Sequence, residues 1–385
     1  MAGVQADINE TTADEQPSRA VSLFLELAAI PSPPGEERAV ADRVARELRG
    51  LGLTVEEDDT GAATGSQIGN LYCSLAPTNG GGTPLFFCAH LDTVPPQGAI
   101  EPVVEDGVVR NAAGTILGAD NKAAVVAMVE AVRRVVEEGR EHAGIELLLT
   151  PKEEVGLVGA KAFDESRLHA RVGYVYDMAA PIGTVIMAAP SSRKLDVRFH
   201  GRAAHSGMYP EEGRNAIAAA ARAIADLRLG RVDDISTANV GEIHGGVAAN
   251  IVAEHCTFVA EARSHDERRL ADLVQEMLES ISFAAEMSEC RADVEVRKSY
   301  RGYRFKQDDE VVSVATDALG RVGQHISFGL SGGAADANIF NDRGLQCLNL
   351  ANGMMDIHTP DEHIAVRDLD AMVDVTLALV DAARA

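Results

Sequence analysis

From about residue 18 the apolar positions of the chain switch between a helical and an extended rhythm. In "EERAVADRVARELRGLG" Val40, Val44 and Leu48 recur on one helical face before glycines end the pattern. Strand-like runs follow at "LTVEE", "NLYCSLA" and "PLFFCAHLD". In "VVEDGVVRN" the pair Asp106-Gly107 between valines predicts a hairpin, since both residues tolerate the positive φ of a tight turn. "DNKAAVVAMVEAVRRVVEEG" predicts a long helix, and "GIELLLTP" and "RVGYVYDM" two further buried strands. Continuous apolar strands separated by helices predict a mostly parallel sheet covered on both faces.

After about residue 183 the pattern changes. "KLDVRFHG" alternates Leu195, Val197 and Phe199 with polar residues, the period of a strand with one wet face. A helix at "NAIAAAARAIADL", strands near "STANVGEI" and "CTFVAEARS", a helix over "DERRLADLVQEMLESISFAAEM" and a strand in "ADVEVRKS" complete a β-α-β-β-α-β order. That order predicts a ferredoxin-like α+β unit. From about residue 300 the α/β texture returns and ends in a helix. The expected partition is a loose tail at 1–17, a larger α/β unit at 18–183 and 300–385, and an inserted unit at 184–299.

Composition narrows the function. The chain has 35 basic and 59 acidic residues, a net charge of -24, which disfavours nucleic acid and anionic membrane as partners. Five scattered cysteines without a C-x-x-C pair read as buried reduced thiols. No basic-then-apolar leader opens the sequence, and no apolar run approaches the ~18 residues of a membrane span. A cytoplasmic protein is expected.

Against this background, polar residues at strand ends stand out. His90 and Asp92 close an apolar run and share one face of a strand, where a metal ligand and the group orienting it could sit, or a purely structural His–Asp pair. Asp120 opens the long helix, as a ligand or an N-cap. Glu153 and Glu154 end "LLLTPKEE" as adjacent carboxylates that repel each other unless a cation is near. Asp177 ends "VGYVYD", and His358 lies in a loop before the last helix. Each is ordinary alone; together they gather at the strand ends where α/β proteins bind ligands.

"AHLDTVP", "GADNKAA", "PKEEVG", "YDM" and "HTPDE", in that order, resemble the motifs of the di-zinc peptidase family of peptidase T (aminotripeptidase), bacterial glutamate carboxypeptidase, aminoacylase-1 and succinyl-diaminopimelate desuccinylase. "GLSGGAADANIF" and "EARS" look most like the peptidase T branch. The resemblance implies a zinc-peptidase fold whose inserted domain is a lid and dimerisation module. It implies that His90, Asp120 and Asp177 bind one zinc, and Asp120, Glu154 and His358 the other, with cobalt or manganese as possible substitutes. Glu153 would be the general base, Asp92 would orient His90, and the Asp120–Asn121 peptide would be cis.

The resemblance extends to the insertion. It implies that His205 in "GRAAHSGMYP" stabilises the oxyanion, acting on the neighbouring subunit in dimeric members. Asn250 and Arg263 match substrate-contacting positions, and Arg263's planar fork suits a peptide carboxylate. Gly332 and Gly333 would let substrate approach the backbone closely. No G-K-[ST] follows these glycines and "GADNKAA" lacks G-x-G-x-x-G, so nucleotide binding is not supported. The expected function is metal-dependent hydrolysis of short peptides, tripeptides first. The alternatives are deacylation of N-acyl amino acids or carboxypeptidase action at the same site, or silent peptide binding.

Overall fold

The strand Leu85–His90 sorts its side chains between two cores. Leu85, Phe87 and Ala89 pack on one side of the sheet, Phe86 and Cys88 on the other, the mark of a strand buried on both faces. In this computed structural model, which describes residues 17–78 and 81–384, the first side is covered by the helices Arg19–Ala28, Arg38–Gly50, Ala119–Glu137, Glu310–Arg321 and Val366–Ala382. The second is covered by Val158–Ala162 and Asp336–Asp342. The expected tail at 1–17 lies, apart from Pro17, outside the described residues.

Among the described residues the large sheet is mixed and has nine strands. At its centre Ile145–Thr150, Leu85–His90, Val172–Val175 and Gln346–Leu350 run parallel. Towards both margins the pairing turns antiparallel, through Leu71–Leu75 on one side and Thr184–Ala189 on the other. The register aligns His90 with Thr150 and Cys88 with Val175. The residues that leave these strands therefore emerge together along one edge.

A second sheet, entirely antiparallel, follows the order Gly230–Asp233, Ser236–Gly245, His255–Ser264, Ser191–His200, Arg291–Tyr300. Apart from the short strand Gly230–Asp233, this is the ferredoxin-like arrangement. Leu195, Val197 and Phe199 are buried in a separate core beneath the helices Ala216–Asp226 and Glu267–Met287. The boundary expected at residue 184 differs from what is found. Thr184–Ala189 pairs with Gln346–Leu350 inside the large sheet, and the chain crosses at Pro190. The physical reason is visible in Val185, Ile186 and Met187, a continuous buried run belonging to a doubly covered sheet, whereas true alternation starts only at Lys194.

The hairpin forms as expected between Pro102–Glu105 and Val108–Asn111, with Asp106 at φ 50° and Gly107 at φ 73°. It extends into a small four-stranded sheet with His363–Ala365 and Met354–Met355. These last two strands pair with each other and suspend the loop carrying His358. Among the described residues, no helix is long and apolar enough to cross a membrane.

Candidate metal centre

Two imidazoles and several carboxylates from separate chain segments meet at the carboxyl edge of the parallel strands. His90, 2% exposed, places Nδ1 2.8 Å from the backbone carbonyl of Asp92. A carbonyl oxygen only accepts, so Nδ1 carries a proton, and a metal bound at the cluster would meet the ring through Nε2. That Nε2 lies 3.1 Å from Asp120 Oδ1 and 4.0 Å from Asp177 Oδ1.

The expected role of Asp92 needs correction in detail. Its carboxylate oxygen is 3.6 Å from His90 Nδ1, and the carboxylate instead accepts the backbone N–H groups of Glu153 at 2.9 Å and Glu154 at 3.1 Å. The turn after Ile145–Thr150 aims two amides at Asp92, and each carboxylate oxygen accepts one of them. The backbone of Asp92 orients the ring, while its side chain holds the paired glutamates.

Asp120 does not cap its helix; Gly118 occupies that position. Asp120 and Asn121 have non-helical angles and the peptide between them is cis. Asp120 Oδ1 faces His90, and Oδ2 lies 3.2 Å from Nε2 of His358, which is also 2.9 Å from Glu154 Oε1. Potential ligand atoms of His90, Asp120 and Glu154 fall within 4.8 Å of one another, as do those of His90, Glu153 and Asp177.

The electrostatics fit a cation site. Burial pushes the Glu153 carboxyl well above the usual carboxylate range, with the charge of Asp177 adding to it and His90 opposing. Burial does the same to Asp177, reinforced by Asp120. His358 is raised to about 10 by its hydrogen bonds to Asp120 and Glu154. For His90 burial pulls downward, but the Asp120 and Asp92 carboxylates outweigh it and hold the ring well above its ordinary value. So many acids out of water stay together only by taking up protons or a cation, and a bound dication displaces the protons. Imidazole nitrogens with carboxylate oxygens are a donor set for a divalent transition metal.

The cluster opens on a cavity of about 1160 Å³. Asp120, Glu153, Glu154, Asp177 and His358 form one wall. Lys194, Arg263, Lys298 and Tyr300 of the small-sheet unit face it, with Gly332 and Gly333 in the same lining. Arg263 Nη1 donates to the Gly332 carbonyl at 3.3 Å, and its Nε pairs with Glu261. His205 and Asn250 are not part of this lining. The exposed His205 ring accepts the N–H groups of Gly207 and Met208, and the Asn250 carbonyl takes the N–H of Ser206. A single chain does not bring these two residues to its own cluster.

Several buried charged residues escaped the sequence reading, among them Glu37, Glu362 and Lys122. Glu37 accepts the N–H groups of Gly35 and Lys152, and Glu362 accepts three amides around Asp120. Lys122, fully buried, donates to the Ile30 carbonyl at 2.5 Å, and burial pulls its pKa down to about 7 against the charge of Glu362. The one available signal was the position of Lys122 and Glu362 inside the motifs "GADNKAA" and "HTPDE"; Glu37 had none.

A doubly covered α/β sheet whose strand ends converge imidazoles and carboxylates on a large cavity defines a metallohydrolase. Residues 86–382 match the model described as Peptidase family M20/M25/M40, and the chain belongs to this metallopeptidase family, in its peptidase T-like branch. A crystal structure of aminopeptidase PepT from Bacillus cereus is 39% identical, with a TM-score of 0.85, over 95% of this chain and 98% of that one. A tripeptidase from Staphylococcus aureus is 35% identical, with a TM-score of 0.89 and the same coverage, 95% and 98%. The uncharacterized protein YqjE of Bacillus subtilis is 39% identical over 95% of this chain and 98% of its own length.

Proposed function

We propose that the protein is a cytoplasmic aminopeptidase that removes the N-terminal residue of short peptides, tripeptides foremost, using two zinc ions. The observation that carries this reading is Asp120, whose two carboxylate oxygens face different histidines, His90 at 3.1 Å and His358 at 3.2 Å. Asp120 would bridge a metal held with His90 and Asp177 and a second held with Glu154 and His358. Bound there, zinc, or cobalt or manganese in its place, would polarise the scissile carbonyl and make water nucleophilic at neutral pH.

Glu153 is the base in this reading. It accepts a proton from the attacking water and hands it to the leaving amine, a task suited to a carboxyl whose surroundings raise its proton affinity. The Asp92 carboxylate fixes the backbone of base and ligand together. Arg263, on the opposite wall, offers its guanidinium to the peptide's C-terminal carboxylate, and Gly332 and Gly333 leave room for the substrate backbone. His205 and Asn250, outside the lining of this chain's own cavity, act on the cavity of a second subunit, with His205 stabilising the oxyanion in a homodimer joined through the inserted unit. The similarity to proteins named aminopeptidase and tripeptidase supports the substrate class.

The test is hydrolysis of a panel of tripeptides, dipeptides and N-acyl amino acids by chelator-treated protein, before and after adding zinc, cobalt or manganese. Metal-restored release of N-terminal residues from tripeptides is expected. Turnover confined to N-acyl substrates would overturn the aminopeptidase reading in favour of a deacylase, and inactivity with every metal would favour a binding protein.

A further inference from the structure

Glu362 is a buried carboxylate to which neither metal binding nor proton transfer assigns a task. It lies four residues beyond His358, at the end of the same suspended loop. Its Oε2 accepts the N–H groups of Leu117 at 2.7 Å and Gly118 at 2.8 Å, and its Oε1 accepts that of Asp120 at 2.9 Å. The residue is 2% exposed. These three amides belong to the turn that opens the helix Ala119–Glu137, where Gly118 sits at φ 80° and Asp120 departs from helical geometry. Donors at such a helix start lack intrahelical partners and need an acceptor from elsewhere. One carboxylate supplied by a segment 242 residues away in sequence serves all three.

We propose that Glu362 is a positioning residue that clamps the backbone of Leu117–Asp120 to the His358 loop and so sets the spacing of the two histidines across Asp120. The reasoning is geometric. Asp120 meets His90 through one oxygen and His358 through the other, so its carboxylate must be fixed relative to both. His90 is fixed by its strand and by the Asp92 carbonyl. His358 sits in a loop at φ 63°, and the link from that loop to the Asp120 backbone runs through Glu362. The role rests on the metal reading of the same cluster, but the clamp itself can be tested without metal.

Glu362→Gln keeps the shape while turning one acceptor oxygen into an amide that faces an N–H. In chelator-treated protein, hydrogen exchange at Leu117, Gly118 and Asp120 should accelerate by about 10-fold or more, as expected when a buried donor loses its acceptor. Titration with cobalt(II), followed by its visible absorption, should show binding weakened by about 10–100-fold, the usual effect of losing a group behind a ligand. The control is Glu146→Gln. Glu146 is also buried and accepts the N–H groups of His169 and Ala170, but near the other end of the strand Ile145–Thr150. It should lower thermal stability and leave cobalt binding as in wild type. Unchanged exchange at the three amides in Glu362→Gln would overturn the clamp, and so would an equal loss of cobalt affinity in both variants. Failure of the wild-type protein to take up cobalt would instead sink the metal reading, with the exchange data still deciding the clamp.

Discussion

Asp92 shows how far single residues could be read from the sequence. The H-x-D spacing pointed to His90 and Asp92; His90 ends its strand beside the acid cluster and Asp92 lies two residues beyond, fully buried. The spacing could not say which oxygen of Asp92 meets the ring, because the backbone carbonyl and the side chain of one residue compete for the same donor. That competition was decided by the amides of Glu153 and Glu154, which come from another strand. The same turn carries the sharpest functional prediction. Glu153→Gln should retain two metals per chain by metal analysis and lose about 10²–10⁴-fold in turnover, the contribution usual for a general base. Loss of one metal instead would mean that Glu153 is a ligand, as its proximity to His90 and Asp177 also allows.

At the scale of elements, long apolar runs were legible and short or polar ones were not. The central strands announced themselves because both faces are buried, and the hairpin because Asp106-Gly107 has few other uses. The strand Gly230–Asp233 has neither signal, being largely exposed or half-buried and held only by its neighbour Ser236–Gly245. One close approach was also invisible. A Cβ at Gly173 would lie 2.2 Å from the Phe86 ring, and that ring is pinned against Phe340 at 5.4 Å. Gly173→Ala should therefore destabilise the protein by about 1–3 kcal/mol, as overpacking does in a filled core. Thermal or denaturant unfolding would register it, and a melt matching wild type would show that the ring shifts freely.

At the scale of the molecule, the described residues form three cores, two on the faces of the large sheet and one in the small-sheet unit, and the cavity lies between the two units. Its acid cluster gives the metal-free protein a pH dependence of definite sign. His90, His358, Glu153 and Asp177 hold protons more tightly when folded than when exposed; Asp120 alone holds its proton less tightly. The stability lent by the first four is full below their unfolded pKa values and is lost as pH rises through the folded ones, for His358 between 6.5 and about 10. Chelator-treated protein should accordingly melt at a lower temperature near about pH 9 than near about pH 7, with a shallower dependence once metal replaces the protons. Melting curves with and without chelator would check this, and identical slopes would show that the cluster does not exchange protons for metal. Why the two units meet as they do was not legible, since the pattern of one segment carries no information about which distant loop it will face.

The chain leaves the large sheet after Ala189 and returns at Tyr303, and these two residues are direct partners in an antiparallel pair. The exit and re-entry points are thus already stitched together, and the unit between them hangs from the body like a pendant on two adjacent links. A two-residue turn could close that gap, giving a shortened chain that keeps His90, Asp92, Asp120, Glu153, Glu154, Asp177 and His358 but loses Arg263 and one cavity wall. Such a chain should still take up cobalt and should no longer cleave peptides. Recognition of the substrate would then be a separable module, open to exchange without touching the centre that breaks the bond.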